Sequence, residues 1–324
     1  MRSPYFLLFF LLLGAAGPAL AQTALLVSDL CVAPDAQVIA FATNAGSSND
    51  AFGIYEQPLK LRGRARRISS PERRYHCFAP AYSPDGRYLL YLRELTRAGA
   101  RRDYADLLLF DRASGFTQVL TTEQQLITQA VFAPDGQRII YLAASTYGSL
   151  TRGGTPAPHH LDVYSMDLTG HDQRRHSTLA AYVLGNLALL RAPDTYLLTA
   201  YDPRRHLAGT YAYSLADTTR LRYVPDSAAT SRHLPYLPNP VVSDDMRVGY
   251  AIGSEVYIKN MRTGRSRLLY VAPPGSDPRP LAFLPNQGML LFSQRFYTGY
   301  ATTHRIGILD TEQQVVRPLE LNVE

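Results

Sequence analysis

The chain has 324 residues, 46% of them hydrophobic and 19% charged, and a formal net charge of +6. That balance excludes a disordered chain, which combines low hydrophobicity with high net charge. The cationic excess is arginine, because Lys60 and Lys259 are the only lysines.

Residues 1–21 read as an export signal. Arg2 gives a positive start, residues 5–13 are a compact apolar run, and Ala19-Leu20-Ala21 is a small-x-small cleavage site. The mature protein is expected to begin near Gln22, with residues 22–324 as one domain in the periplasm or outside the cell. No other stretch is long and apolar enough to span a bilayer, so no membrane span is expected after cleavage. An exported protein meets little nucleic acid, so acidic glycans, lipid headgroups or acidic proteins are the better partners for the basic charge. Cys31 and Cys77 are the only cysteines. An oxidising compartment would allow a disulfide. Register argues against one, because Cys31 precedes Asp35 by four residues and Cys77 precedes Asp85 by eight. That offset is roughly 13 Å of strand, beyond the reach of a disulfide unless a bulge intervenes.

From Val32 onward one phrase recurs. Val32-Ala33-Pro34-Asp35, Tyr82-Ser83-Pro84-Asp85-Gly86 and Phe132-Ala133-Pro134-Asp135-Gly136 each precede an apolar run ending in Phe41, Tyr91 and Tyr141–Leu142. Pro, Asp and Gly supply the chemistry of a tight turn, and the β-branched and aromatic run supplies a strand. The aspartates at 35, 85 and 135 recur every 50 residues, and a fixed period of this kind marks a repeat architecture. Looser copies follow at Asp194, Asp244 and Asn286. The Asp194 copy departs from the pattern, with Ala200 at the aromatic position and Tyr201 one place later. Each copy has a second half such as Asp162-Val163-Tyr164-Ser165-Met166-Asp167-Leu168-Thr169-Gly170, a strand ending in a turn, followed by a fourth strand. Four strands per unit and six units predict an all-β, six-bladed β-propeller of four-stranded antiparallel blades.

The Ser-Pro-Asp-Gly motif, with its aromatic residue and the later Asp-x-x-Thr-Gly turn, resembles the TolB-type propeller repeat of bacterial envelope proteins. The resemblance covers nearly the whole mature chain. It implies a six-bladed propeller and does not imply one activity, because this fold hosts binding proteins, lyases and peptidase gates alike. The extra α/β domain of TolB has no counterpart in this sequence, so TolB's partners do not transfer.

In such a ring the Pro-Asp-Gly turns and the Thr-Gly turns share one face. The connections at 93–105, 144–160, 201–209 and 294–303 are expected as long loops on the other. Long loops on a rigid scaffold are where function tends to sit. They carry Arg97, Arg101, Arg102, Tyr147, Arg152, Arg204, Arg205, Arg295, Tyr297 and Tyr300. Arg with Tyr makes an amphipathic surface suited to a protein or sugar partner. The expected function is a non-enzymatic binding or scaffold role toward an envelope protein or acidic glycan, with no cofactor. The alternative is a metal-assisted polysaccharide lyase or hydrolase using His159, His160, His206 and His304, with His76 and His233 on the same face. Neither a Gly-x-Ser-x-Gly elbow nor a His-Glu-x-x-His motif is present.

Overall fold

The computed structural model describes residues 26–44, 51–59, 63–95, 105–121, 126–149, 156–190, 194–217, 221–226, 236–298 and 301–323. Residues 1–21, expected to be an export signal, and Arg97, Arg101, Arg102, Arg152, His233 and Tyr300 lie outside the described residues. The described chain is all strand and turn, with no helix.

The first sheet contains β1 (Val27–Val32), β2 (Val38–Thr43), β3 (Gly53–Pro58) and β4 (Arg66–Arg67), in that order. The next eight strands form one sheet. They are β5 (Tyr75–Tyr82), β6 (Tyr88–Leu95), β7 (Ala105–Asp111), β8 (Thr117–Val119), β9 (Leu126–Phe132), β10 (Arg138–Gly148), β11 (Ala157–Asp167) and β12 (Arg174–Arg175). Its two halves are antiparallel and joined by one parallel pair, Ala105 with Leu126. Three more four-stranded antiparallel sheets follow. They are β13 (Val183–Leu190), β14 (Thr195–Asp202), β15 (Leu207–Ser214) and β16 (Leu221–Tyr223); then β17 (Val241–Val242), β18 (Arg247–Ile252), β19 (Glu255–Asn260) and β20 (Ser266–Val271); then β21 (Ser276–Leu284), β22 (Met289–Thr298), β23 (Ala301–Asp310) and β24 (Val316–Leu319). The arrangement is a β-propeller with four separate four-stranded blades and one eight-stranded sheet.

The repeated turns form as their residues dictate. Gly86 N–H donates to Ser83 O at 2.9 Å, and the Asp85 carboxylate accepts from Arg87 N–H and from Ser83 Oγ. Gly86 and Gly136 have φ of 72° and 68°, a region open to glycine. The first copy puts Ala36 there with φ 55°. In the fifth copy Asp245, not Asp244, does the work of Asp85: it accepts from Ser243 Oγ, and Ser243 N–H donates to Arg247 O. The loop there is one residue shorter, which put the sequence register one residue out. The later turns are Asx turns, with Asp111, Asp167, Asn260 and Asp310 accepting from backbone N–H groups two or three residues on.

Packing explains the apolar runs. Leu89 and Tyr91 pack toward β2 and β3, whereas Leu90 and Leu92 pack toward β9 and β10. A strand buried on both faces sends alternate residues to opposite neighbours. Ile139 and Tyr141 against Ile140 and Leu142 repeat the division. Among the described residues six buried clusters form in this way, and the last joins Leu284, Leu291 and Ile306 to Val27, Ile39 and Phe41. The first and last sheets therefore meet. The tail secures the contact: Gln57 Nε2 donates to Glu320 O, Asn322 N–H donates to Gln57 Oε1, and Ala65 N–H donates to Asn322 O. In the fourth copy the buried aromatic residues are Tyr196 and Tyr213, while Tyr201 is 41% exposed. Cys31 and Cys77 are free thiols, as register suggested.

Candidate functional site

The two faces of the ring are built differently. On the turn face several cations are tied down, although Arg262 and Arg265 are exposed. Arg112 Nε pairs with buried Glu56 at 2.7 Å, its Nη1 donates to Gly86 O, and Tyr82 Oη donates to the same carboxylate. Arg138 pairs with Asp172 at 2.6 Å, Arg87 with Asp111 at 3.1 Å and Arg247 with Asp245 at 2.7 Å. Lys259 is buried and pairs with buried Asp226 at 3.2 Å, beside Tyr250 Oη and Ser266 Oγ on the same carboxylate. Arginine partners and turn hydrogen bonds hold Asp85, Asp111, Asp167 and Asp172 below the usual carboxylate range. These charges link neighbouring sheets and turns.

The opposite face carries hairpins where the sequence reading placed loops. β10 and β11 stay paired out to Gly148 and Ala157, and β22 and β23 stay paired to Thr298 and Ala301. β14 and β15 stay paired to Asp202 and Leu207, which leaves only 203–206 as a turn. Continued strand pairing needs only backbone groups and permissive residues, so inserted length was taken up by the ladder. Tyr147 and Tyr297 thus stand on strands, as does Arg295 on β22 opposite Asp277 and His304.

One sector of this hairpin face gathers apolar and cationic groups. Tyr147 sits opposite Pro158 and is 38% exposed. His159 lies edge-on to His160, with centroids 4.8 Å apart, and 5.3 Å from the Tyr182 ring. Val183 pairs with Tyr201, and both are exposed. Arg205 donates to Leu179 O and lies 3.9 Å from buried Asp202. Arg204 is exposed beside it. Of the eleven large hydrophobic side chains exposed among the described residues, seven lie on or just before the outer strands β8, β16, β20 and β24. The other four are Tyr147, Val183, Tyr201 and Tyr236. Of the residues picked from sequence, the sector unites Tyr147, Arg204 and Arg205 with His159, His160 and His206; Arg295, Tyr297 and His304 belong to another hairpin. Tyr182, Val183 and Tyr201 were missed, because a strand residue that rises above the ladder reads like a buried one.

Among the described residues the histidines do not converge. His76 Nδ1 accepts from Phe52 N–H at 3.1 Å. His160 is bonded to Thr146 Oγ1, and His206 lies in the turn after β14. Burial, with the charge of Arg295, holds His304 below the ordinary histidine value. Among the described residues no group of three His, Cys, Asp or Glu side chains could hold a metal ion.

The inner strands β1, β5, β9, β13, β17 and β21 line a central channel of about 800 Å³. No described helix is long and apolar enough to cross a membrane.

These features define a β-propeller with one fastened face and one face of exposed hairpins. The chain is similar in structure to TolB from Acinetobacter baumannii, with a TM-score of 0.63 and 17% identity over 90% of this chain. It spans 65% of that protein's length. It is also similar to an oligogalacturonate lyase in complex with manganese (TM-score 0.53, 13% identity, 89% of this chain and 75% of that one). A third similar structure is the oligogalacturonate lyase of Vibrio parahaemolyticus (TM-score 0.55, 14% identity, 92% and 79%). No protein-family model matches the sequence. No curated protein matches it. At these identities the likeness establishes the TolB-like propeller fold.

Proposed function

We infer that the chain is an exported six-bladed propeller acting as a binding module through its hairpin face. Residues 1–21 are the export signal and residues 22–324 the propeller. Six blades are supported by the single pair joining the halves of the eight-stranded sheet, by the six buried clusters and by the six inner strands of the channel. The partner is an acidic protein or acidic glycan of the cell envelope. The observation that carries this reading is the run of exposed Tyr147, Val183 and Tyr201 with exposed Arg204 and Arg205. Tyrosine and arginine dominate binding energy at interfaces, and exposed apolar residues gathered together mark contact sites.

The test is capture of an identified acidic partner from an envelope extract by the immobilised mature protein. Arg204→Glu with Arg205→Glu should abolish capture and leave the fold intact. Arg262→Glu with Arg265→Glu, exposed on the turn face, should leave capture unchanged. Binding should also weaken with salt, because exposed charges are screened within about 10 Å at moderate ionic strength. Loss from the turn-face pair alone, or equal loss from both, overturns the reading.

A further inference from the structure

The inner strands share an irregularity. β1, β5, β9, β13 and β21 each break register with the next strand of their own sheet, at Val27/Asp29, Phe78/Ala81, Thr128, Gly185/Ala188 and Pro280/Ala282. A bulge takes a residue out of the ladder and frees its backbone groups. At two boundaries the neighbouring strand satisfies them. Asp29, six residues before turn residue Asp35, accepts from bulge residue Ala79 N–H at 3.4 Å. Gln129, six before Asp135, accepts from bulge residue Leu187 N–H at 2.8 Å and donates to Leu187 O at 3.4 Å.

The third boundary of this kind lies between β17 and β21. Asn239 stands six residues before Asp245, the residue that fills the turn role there, and the bulge of β21 falls at Leu281. Among the described residues, the side chain of Asn239 has no hydrogen bond and the guanidinium of Arg279 has neither hydrogen bond nor ion pair. Both line the channel, and both are exposed to it. Among the described residues Arg279 is the only cationic side chain in the channel wall; the carboxylates there are Asp29 and Asp244.

We propose that the channel wall between β17 and β21 binds a small carboxylate-bearing solute, held by Arg279 and Asn239 at the bulge of Leu281. The ligand carboxylate takes the place that the Asp29 carboxylate fills at Ala79. A guanidinium presents two parallel donors to a carboxylate, and a channel of about 800 Å³ is within the range of small-ligand sites. The proposal does not depend on the hairpin face.

Titration calorimetry of the mature protein with succinate and citrate, with sulfate as the inorganic oxyanion, tests it. At least one carboxylate should bind saturably with one site per chain. Arg279→Gln should weaken that binding at least about tenfold, the loss expected from removing a charge-assisted hydrogen bond. Asn239→Asp supplies the carboxylate from the chain itself and should abolish binding, with the melting temperature held or raised. No saturable binding of either carboxylate, an unchanged affinity in Arg279→Gln, or sulfate binding as tightly as the carboxylates overturns the proposal.

Discussion

The two faces of this ring use the same residue types to opposite ends. On the turn face, Arg112, Arg138 and Lys259 spend their charge on Glu56, Asp172 and Asp226 and fasten strand to strand, while Arg247 pairs with Asp245 within one turn. On the hairpin face, Arg204 and Arg205 stand exposed beside Tyr201 and Val183. The turn-face arginines named here are tied into ion pairs, whereas Arg204 and Arg205 are the pair proposed to meet a partner.

Breaking the turn face should cost most where charge is buried. Asp226→Ala leaves Lys259 buried without its carboxylate and should lower stability by about 3–5 kcal/mol, read by urea denaturation. Arg112→Ala removes bonds to Glu56 and Gly86 O and should cost about 1–3 kcal/mol. A loss under 0.5 kcal/mol in either would mean that the turn-face pairs fasten nothing.

Acid should act in two windows next. His304 on the hairpin face and His176 near the turn face both have folded values below the ordinary 6.5, chiefly through burial, then through Arg295 for His304 and Arg138 for His176. The unfolded chain then binds the proton first, so their contribution is complete above 6.5 and is lost as pH falls below it. The turn-face aspartates have folded values below 3.8, so their contribution is lost only as pH falls below 3.8. His304→Gln should flatten the melting-temperature profile just below pH 6.5 and leave the lower window unchanged. An unaltered profile would sink the assignment.

The smallest effect is at Ala36. Its positive φ suits glycine, and Ala36→Gly should stabilise the chain by up to about 1 kcal/mol. A destabilised variant would mean that unfolded-state entropy outweighs the strain.

Much of the fold was legible because turns are chemically explicit. Pro-Asp-Gly at a fixed step announces both the hairpin and the repeat. Where the chemistry thins, the reading slipped: Asp244 was taken for Asp245, and Tyr196 was missed as the buried aromatic of the fourth copy. The candidate site was legible only in part. Tyr147, Arg204 and Arg205 were singled out because they fall outside the repeat. Tyr182, Val183 and Tyr201 were not, because exposure at a strand end depends on how far the neighbouring ladder extends. The hairpins themselves read as loops, since nothing in 144–160 or 294–303 marks where pairing stops.

The most direct test of the two-face account is hydrogen exchange on the mature protein with and without its captured partner. The account predicts slowed exchange at residues 145–149, 157–160, 182–184 and 201–207, and none at 112–116, 134–137, 168–171 or 261–265. Protection centred on the second set would place recognition on the fastened face and contradict it.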